Sequence, residues 1–342
     1  MSRVAVIGHF GIGLNLANGQ TIKTKIVTEE VERYCNEKAV LVDAHGGVKA
    51  IVPVIFGCIK ALKSCDNIIL MLTENGLKVS VPVLSFFNKL FHKRLHYVVV
   101  GGWLPEFLNQ QLGLIKKLKS FHMIYVETNN MRMHLEKMGF KNVVVMPNCK
   151  RLEIVSEPEI CEKPYKLCTF SRVMREKGIE DAVNAVISAN DALGETAYQL
   201  DIYGQVDSNQ TEWFDKLQES FPAYIKYCGL VKFDQSTKVL KQYFALLFPT
   251  YYEGEGFAGT AIDAFSAGVP VLASDWKYNN EVIVDGINGG LFEPHNVEEI
   301  KKCLIEMARN PETWQMMRNR CIADAHKYEP DNVMKTLFNE LK

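Results

Sequence analysis

At 342 residues the chain exceeds a typical single domain, and two domains of about 150–180 residues each would account for it. A composition of 47% apolar and 23% charged residues supplies buried cores and excludes a disordered chain. The net charge of −1 leaves no basic field for nucleic acid, and no apolar run reaches the length of a membrane span.

Short apolar runs alternate with helical patterns from the start. Val4-Ala-Val-Ile7 reads as a strand and not as a signal sequence, because it breaks at Gly8-His9 without a small-residue cleavage site. Strands are expected at 3–8, 39–44, 67–72, 96–101, 122–127 and 142–146, with helices at 20–35, 50–64, 77–92, 104–118 and 129–138. Runs such as Ile68-Ile-Leu-Met-Leu72 and Val143-Val-Val-Met146 are nearly continuous in apolar character, as parallel strands buried on both faces require. The first strand is followed by Gly8-His-Phe-Gly11-Ile-Gly13, then by Gly19-Gln20-Thr21 at a helix start. The spacing G-x-x-G-x-G reverses the dinucleotide fingerprint, and only Asp43 stands near the end of the second strand in the ribose position, so a nicotinamide-linked oxidoreductase is disfavoured. The glycines serve either a turn with positive φ or a wall without side chains for a phosphate.

Between 147 and 165 the rhythm breaks into prolines and glutamates, as an inter-domain linker does. It then resumes with strands near 166–170, 198–203, 224–228, 244–248, 269–273 and 289–292, and helices near 178–190, 210–220, 235–242, 258–267 and 296–309. The tail from Pro311 is helical, with Pro330 opening its last segment. The expected domains are 1–148, a linker at 149–164, 165–325, and a C-terminal helix within 326–342 that packs back on the first domain. Nine cysteines, an odd number without a C-x-x-C pair, point to free thiols in a reducing cytoplasm.

Three loops of the second half carry chemistry. Ser171-Arg172-Val-Met-Arg175-Glu-Lys177-Gly178 follows a strand and precedes a helix, where Arg172 and Lys177 can reach one diphosphate. Glu255-Gly256-Phe257-Ala258-Gly259-Thr260 exposes successive N–H groups beside a helix start, with Asp263 one turn inside. A ligand with an anionic part and hydroxyls suits that junction, and a nucleotide sugar has both. Gly229-Leu-Val231 follows another strand and is placed to meet a base through its backbone. Glu253-Gly-Glu255 is the nearest approach to a metal pair; with no Asp-x-Asp and eight scattered histidines, no metal site is expected.

Ser171-Arg172 with Lys177-Gly178, Glu255-Gly-Phe with Asp263, Ala267-Gly268-Val-Pro270-Val, and Glu281-Val-Ile-Val-Asp285-Gly-Ile-Asn288-Gly-Gly290 together resemble the retaining glycosyltransferases of family 4. Gly19-Gln-Thr-Ile-Lys-Thr24 and Gly101-Gly-Trp-Leu104 resemble a subgroup that builds bacterial surface polysaccharides, of capsule or O-antigen type. The resemblance implies an α/β GT-B fold, two Rossmann-like doubly wound parallel-sheet domains facing a central cleft, the N-terminal one for acceptor and the C-terminal one for donor. It implies no cofactor, with a UDP- or GDP-linked sugar as donor substrate, and a glycan or lipid-linked saccharide as acceptor.

By position, Arg172 and Lys177 would hold the diphosphate and Glu255 the donor sugar as the catalytic set. Gly11, Gly13, Gly19, Gln20, Val231 and Gly256 to Thr260 would line the substrate. Asp263 stands where the family usually has Glu on the ribose hydroxyls, one methylene shorter. A histidine over the sugar has no secure counterpart; His45 is a candidate. A non-catalytic subunit that binds a nucleotide sugar or a partner is the alternative. Residues 84–97 place Phe86, Phe87, Leu90 and Phe91 on one helical face beside Lys89, Lys93 and Arg94, and Lys116, Lys117 and Lys119 form a second basic cluster. That pattern fits either packing on its own sheet or an interfacial helix on anionic lipid at the inner face of the cell membrane.

Overall fold

The computed structural model describes residues 3–14 and 19–342. Met1, Ser2 and the Asn15–Asn18 part of the first glycine-rich loop therefore lie outside the described residues. The chain divides into two compact units, residues 1–148 with 330–342, and residues 149–329.

In unit 1, β1 (Val4–Gly8), α1 (Gly19–Cys35), β2 (Val40–Asp43), α2 (Ile51–Ser64), β3 (Asn67–Met71), α3 (Glu74–Phe91), β4 (Arg94–Val98), α4 (Leu104–Asn109), α5 (Leu112–Leu118), β5 (Met123–Val126), α6 (Asn129–Lys137) and β6 (Val143–Val145) follow one another. The six strands form one parallel sheet in the order β2-β1-β3-β4-β5-β6. β1 and β3 are buried at every residue, while the edge strands β2 and β6 are only partly covered. The uninterrupted apolar run of β3 is buried as expected, whereas Val143-Val-Val of β6, expected to be buried on both faces, lies at the sheet edge and is only partly covered because one side has no neighbouring strand.

Two expected elements differ. The helix expected at 104–118 is broken at Gln110 and Gln111, whose backbone leaves helical geometry. The break lets Leu104 and Leu108 on α4 and Leu114 and Leu118 on α5 all reach the core. The strand expected at 96–101 lies earlier: α3 ends at Phe91 with His92 in the left-handed region, and β4 runs from Arg94 to Val98. Phe86 and Leu90 stay exposed, whereas Phe87 and Phe91 are half-buried, so the outward face is narrower than the sequence pattern implies.

Unit 2 contains β7 (Tyr165–Phe170), α7 (Ile179–Leu193), β8 (Tyr198–Tyr203), α8 (Thr211–Gln218), β9 (Ile225–Gly229), α9 (Ser236–Leu240), β10 (Ala245–Phe248), α10 (Gly259–Ser266), β11 (Val271–Ser274), β12 (Gly289–Phe292), α11 (Val297–Arg309) and α12 (Pro311–Ala325). Its six strands are parallel in the order β12-β11-β10-β7-β8-β9. Counted from β7 as one, this is 6-5-4-1-2-3, the doubly wound order whose direction of winding reverses between β7 and β10. β11 begins at Val271, later than expected, because Gly268 turns the chain out of α10 at φ +65° and the N–H of Val269 still closes that helix on Ala264 O.

The fully buried Arg318 of α12 donates to the carbonyls of Tyr243, Phe244 and Lys241, tying α12 to the entry of β10. Asn288 is buried as well; its amide donates to Val282 O and Asp324 and its oxygen accepts from Val284 N, which makes the Asn288-Gly-Gly290 motif a support for the sheet. The remaining helices, α13 (Pro330–Val333) and α14 (Lys335–Glu340), belong to unit 1. There Phe338 stacks on Tyr34 at 4.3 Å, and Arg94 donates to the carbonyls of Glu340 and Lys342. No described helix is long and apolar enough to cross a membrane.

Candidate functional site

The reversal of strand order in unit 2 decides which loops meet. β7 and β10 are neighbours there, so the loop after β7, with Arg172 and Lys177, and the loop after β10, with Glu255, leave the sheet side by side. Gly178 makes the close approach achievable: its φ is +67°, and a Cβ on it would stand 2.1 Å from Pro249 O. Tyr251 N donates to Glu176 O at 2.8 Å, which locks the two loops together.

Lys177 Nζ reaches Glu255 Oε2 at 2.5 Å, and Thr250 Oγ1 donates to the same carboxylate at 2.9 Å. The ammonium also lies 4.9 Å from the centre of the Tyr252 ring and 5.7 Å from that of Phe248. The two side chains are 13% and 10% exposed, enough burial for the pair to hold its geometry against water. Gly256, Phe257 and Ala258 are buried behind Glu255 and lead into α10. The N-cap of α10 is Ala258, which offers no side-chain acceptor, so the first turn has no capping side chain for its N–H groups. Thr260 is turned inward, its hydroxyl donating to Phe170 O at 2.8 Å, and Gly259 opens the helix.

Asp263 is buried one turn further along. Its Oδ1 accepts from Ser236 at 2.8 Å and its Oδ2 from Lys150 Nζ at 2.5 Å. Thr250, Ser236 and Lys150 had no part in the sequence reading, since nothing local marks them; each is far in sequence from the acid it serves or lacks a motif of its own. Arg172 does not join the Lys177–Glu255 pair. Its half-exposed guanidinium pairs with Asp207 at 3.4 Å. Val231 sits half-buried in the loop after β9. Glu253 pairs with Lys277 at 2.7 Å, so the acids of Glu253-Gly-Glu255 go to different lysines. Among the described residues no group of three or more His, Cys, Asp or Glu is placed to hold a metal ion.

Gly11, Gly13, Gly19 and Gln20 lie in unit 1. Gly11 and Gly13 have positive φ, as the turn reading requires. The N–H groups of this loop bond within the unit: Phe10, Gly11 and Ile12 all donate to the Asp43 carboxylate, at 3.0, 3.3 and 2.9 Å, and His45 N adds a fourth bond at 2.9 Å. Asp43 thus organises this loop. Burial alone would raise its pKa; the N–H donors of Ile12, His45, Phe10 and Gly11 outweigh that and hold it below the usual carboxylate range. His45 Nδ1 lies 2.9 Å from His9 Nε2, and His9 Nδ1 lies 2.9 Å from Thr21 Oγ1. Burial and the neighbouring His45 lower the pKa of His9, with Asp43 acting in the opposite direction. Gly19 opens α1, and the Gln20 amide lies at the long limit of a hydrogen bond to Met71 O, 3.5 Å.

Residues 150–327 match the family described as Glycosyl transferases group 1. The GtfA subunit of the UDP-N-acetylglucosamine–peptide N-acetylglucosaminyltransferase of Streptococcus pneumoniae serotype 4 is 34% identical over 144 residues, which cover 41% of this chain and 27% of that protein. The matched stretches span less than half the length of the curated relatives. Among solved structures, Anabaena HepE in complex with UDP and glucose aligns over 100% of this chain and 99% of its own at a TM-score of 0.76 and 12% identity. TarM of S. aureus aligns over 84% of this chain and 59% of its own at 0.67 and 18%. At such identities the likeness is one of fold, and that fold is GT-B.

Proposed function

We propose that this chain, which belongs to the group 1 glycosyl transferases, moves a sugar with retention of configuration from a nucleoside-diphosphate donor to a glycan or lipid-linked saccharide in surface polysaccharide synthesis. Unit 2 takes the donor and unit 1 the acceptor. The observation that carries this reading is the Lys177–Glu255 pair, set beside an uncapped helix N-terminus where the strand order reverses. HepE, crystallised with UDP and glucose, and TarM, crystallised with UDP, support a UDP-linked donor.

In this mechanism the bond from sugar C1 to the diphosphate oxygen breaks and its electron pair stays on phosphate. Lys177, Arg172 and the N-terminus of α10 neutralise the leaving charge in place of a metal ion. Glu255 accepts hydrogen bonds from the sugar hydroxyls, and Lys177 holds Glu255 in place. The acceptor oxygen bonds to C1 on the face the phosphate leaves, and the phosphate takes its proton. Asp263 serves the ribose.

A panel of UDP- and GDP-linked sugars in a thermal-shift measurement tests the donor reading. A ligand at 100 times its Kd stabilises the protein by about 2.7 kcal/mol. At least one member is expected to raise the melting temperature, and a flat response across the panel would remove a nucleotide sugar from the account. Hydrolysis of that donor in the absence of acceptor separates an enzyme from a non-catalytic binding subunit.

For a lipid-linked acceptor the enzyme works at the inner membrane face, and unit 1 carries a surface suited to it. Val52, Phe56, Lys60 and Lys63 share one face of α2 at helical spacing, and Phe86 and Leu90 lie on the adjacent α3. The four apolar side chains are 60–74% exposed. Residues 44–126 hold ten Lys or Arg against three Asp or Glu, a bias absent from the chain as a whole. Apolar wedges among lysines are what an anionic bilayer binds. The protein is expected to float with vesicles containing phosphatidylglycerol and to remain behind with phosphatidylcholine alone. Phe56→Ser with Leu90→Ser should weaken flotation; failure to float with either lipid ends the membrane reading.

A further inference from the structure

The ammonium of Lys150 is the unassigned group closest to the donor-side acids. It stands first in the region that matches the family, outside every regular element, yet two contacts fix it. Its N–H donates to Tyr328 O at 3.3 Å, and the ring of Tyr328 packs against Phe257 at 5.0 Å in an edge-to-face arrangement. Its Nζ donates to Asp263 Oδ2 at 2.5 Å. The backbone contact places Lys150 beside the Glu255–Thr260 loop, and the side-chain contact places its charge on the acid one turn inside that loop.

Asp263 is 4% exposed at its side chain and Lys150 15%, so the lysine is the more accessible partner of the pair. One carboxylate oxygen is engaged by Ser236 and the other by Lys150, each keeping a second lone pair. The ammonium has three donors, of which Asp263 takes one. An acid shorter by one methylene, roughly 1.5 Å, sits back from whatever a Glu would reach. A lysine bound to its Oδ2 restores that reach with a donor.

We propose that Lys150 and Asp263 act as one unit on the vicinal hydroxyls of the donor's ribose, Lys150 donating to a hydroxyl oxygen while the carboxylate accepts from an O–H. This rests on the donor reading above and assigns to Lys150 a binding role in it. A lysine that merely neutralised a buried acid would affect stability and leave ribose recognition untouched.

The test uses the full chain and two probes. Titration calorimetry compares UDP with 2′-deoxy-UDP on the wild type and on Lys150→Met, with Lys150→Arg retaining a cation. The wild type is expected to favour the ribonucleotide by roughly tenfold, the worth of a hydrogen bond to a charged group. Lys150→Met should bring that ratio close to one, and Lys150→Arg should preserve most of it. An unchanged ratio in Lys150→Met overturns the proposal while leaving the donor reading in place. If the wild type binds neither UDP nor GDP, the donor reading itself falls and takes this proposal with it.

The second probe needs no variant. Periodate-oxidised UDP carries aldehydes in place of the ribose diol; a neighbouring amine adds to one, water leaves, and borohydride reduces the imine to a stable label. Mass spectrometry is expected to find that label on Lys150, with excess UDP preventing it. Labelling of other lysines with Lys150 unmodified overturns the proposal even if Lys150→Met does not fold.

Discussion

Lys177→Met and Glu255→Gln are each expected to lower turnover by about 10²–10³-fold, the usual loss on removing one preorganised charge or donor from a reacting centre. The double variant should lose little more than the worse single one. The two groups are hydrogen-bonded at 2.5 Å, so removing either leaves the other misplaced as well as unpaired. Independent action would instead multiply the two losses. Steady-state rates of the three variants, with circular dichroism to establish that each is folded, decide the matter. Near-normal turnover in both single variants would move the chemistry away from this pair. The Thr250 hydroxyl offers an internal comparison: Thr250→Val removes one donor to Glu255 and keeps the ion pair, so its loss should be smaller.

The second large effect concerns stability. Lys23 on α1 and Glu127, just after β5, form an ion pair in which both side chains are almost fully buried, and Lys23 also donates to Val99 O at 3.2 Å. Lys23→Met takes the lysine cation away from a buried carboxylate, which costs roughly 3–5 kcal/mol. Lys23→Met combined with Glu127→Leu should recover much of that loss, because replacing both charges leaves neither uncompensated. Urea denaturation of the two variants measures the difference. A loss below about 1 kcal/mol in Lys23→Met would mean that the carboxylate finds other donors or water. The lysine of Gly19-Gln-Thr-Ile-Lys-Thr24 thus has a structural role, tying α1 to the ends of two strands.

Much of the architecture was legible in the residue order because parallel strands buried on both faces have a composition of their own. Ile68-Ile-Leu-Met-Leu72 has no polar face to offer water, so its burial as a strand is legible in the run, although the equally apolar Val143-Val-Val of β6 lies at the sheet edge. Helix ends were legible where a residue enforces them, as Gly268 does after α10, and illegible at Gln110-Gln111, where good helix formers leave the helix because the core asks for a turn. The outward face of α3 was visible only in part. Its true extent depends on His92 ending the helix in a left-handed conformation and on α2 lying alongside with Val52 and Phe56.

The loops after β7 and β10 divide in the same manner. Lys177, Glu255 and Asp263 stood out because charges beside glycines at a strand-to-helix junction have few structural uses. Their partners did not stand out. Thr250, Ser236 and Lys150 are ordinary residues in ordinary contexts, and a hydrogen bond across 113 positions, such as that from Lys150 to Asp263, leaves no local trace. The partner of the glycine-rich loop of unit 1 was illegible for a related reason. The loop's amides are free in any linear reading, whereas the parallel pairing of β1 with β2 brings the Asp43 carboxylate onto them.

By itself the sequence determined the two α/β units, nearly all of their strands, and the charged residues in the loops after β7 and β10, since each of these rests on periodicity, composition or a local turn requirement. Only the tertiary structure decided which of those groups touch. Whether Lys177 pairs with Glu255, or Arg172 with Asp207, depends on β7 and β10 being neighbours where the winding of the sheet reverses, and strand order is a property of the packed chain that no local run encodes.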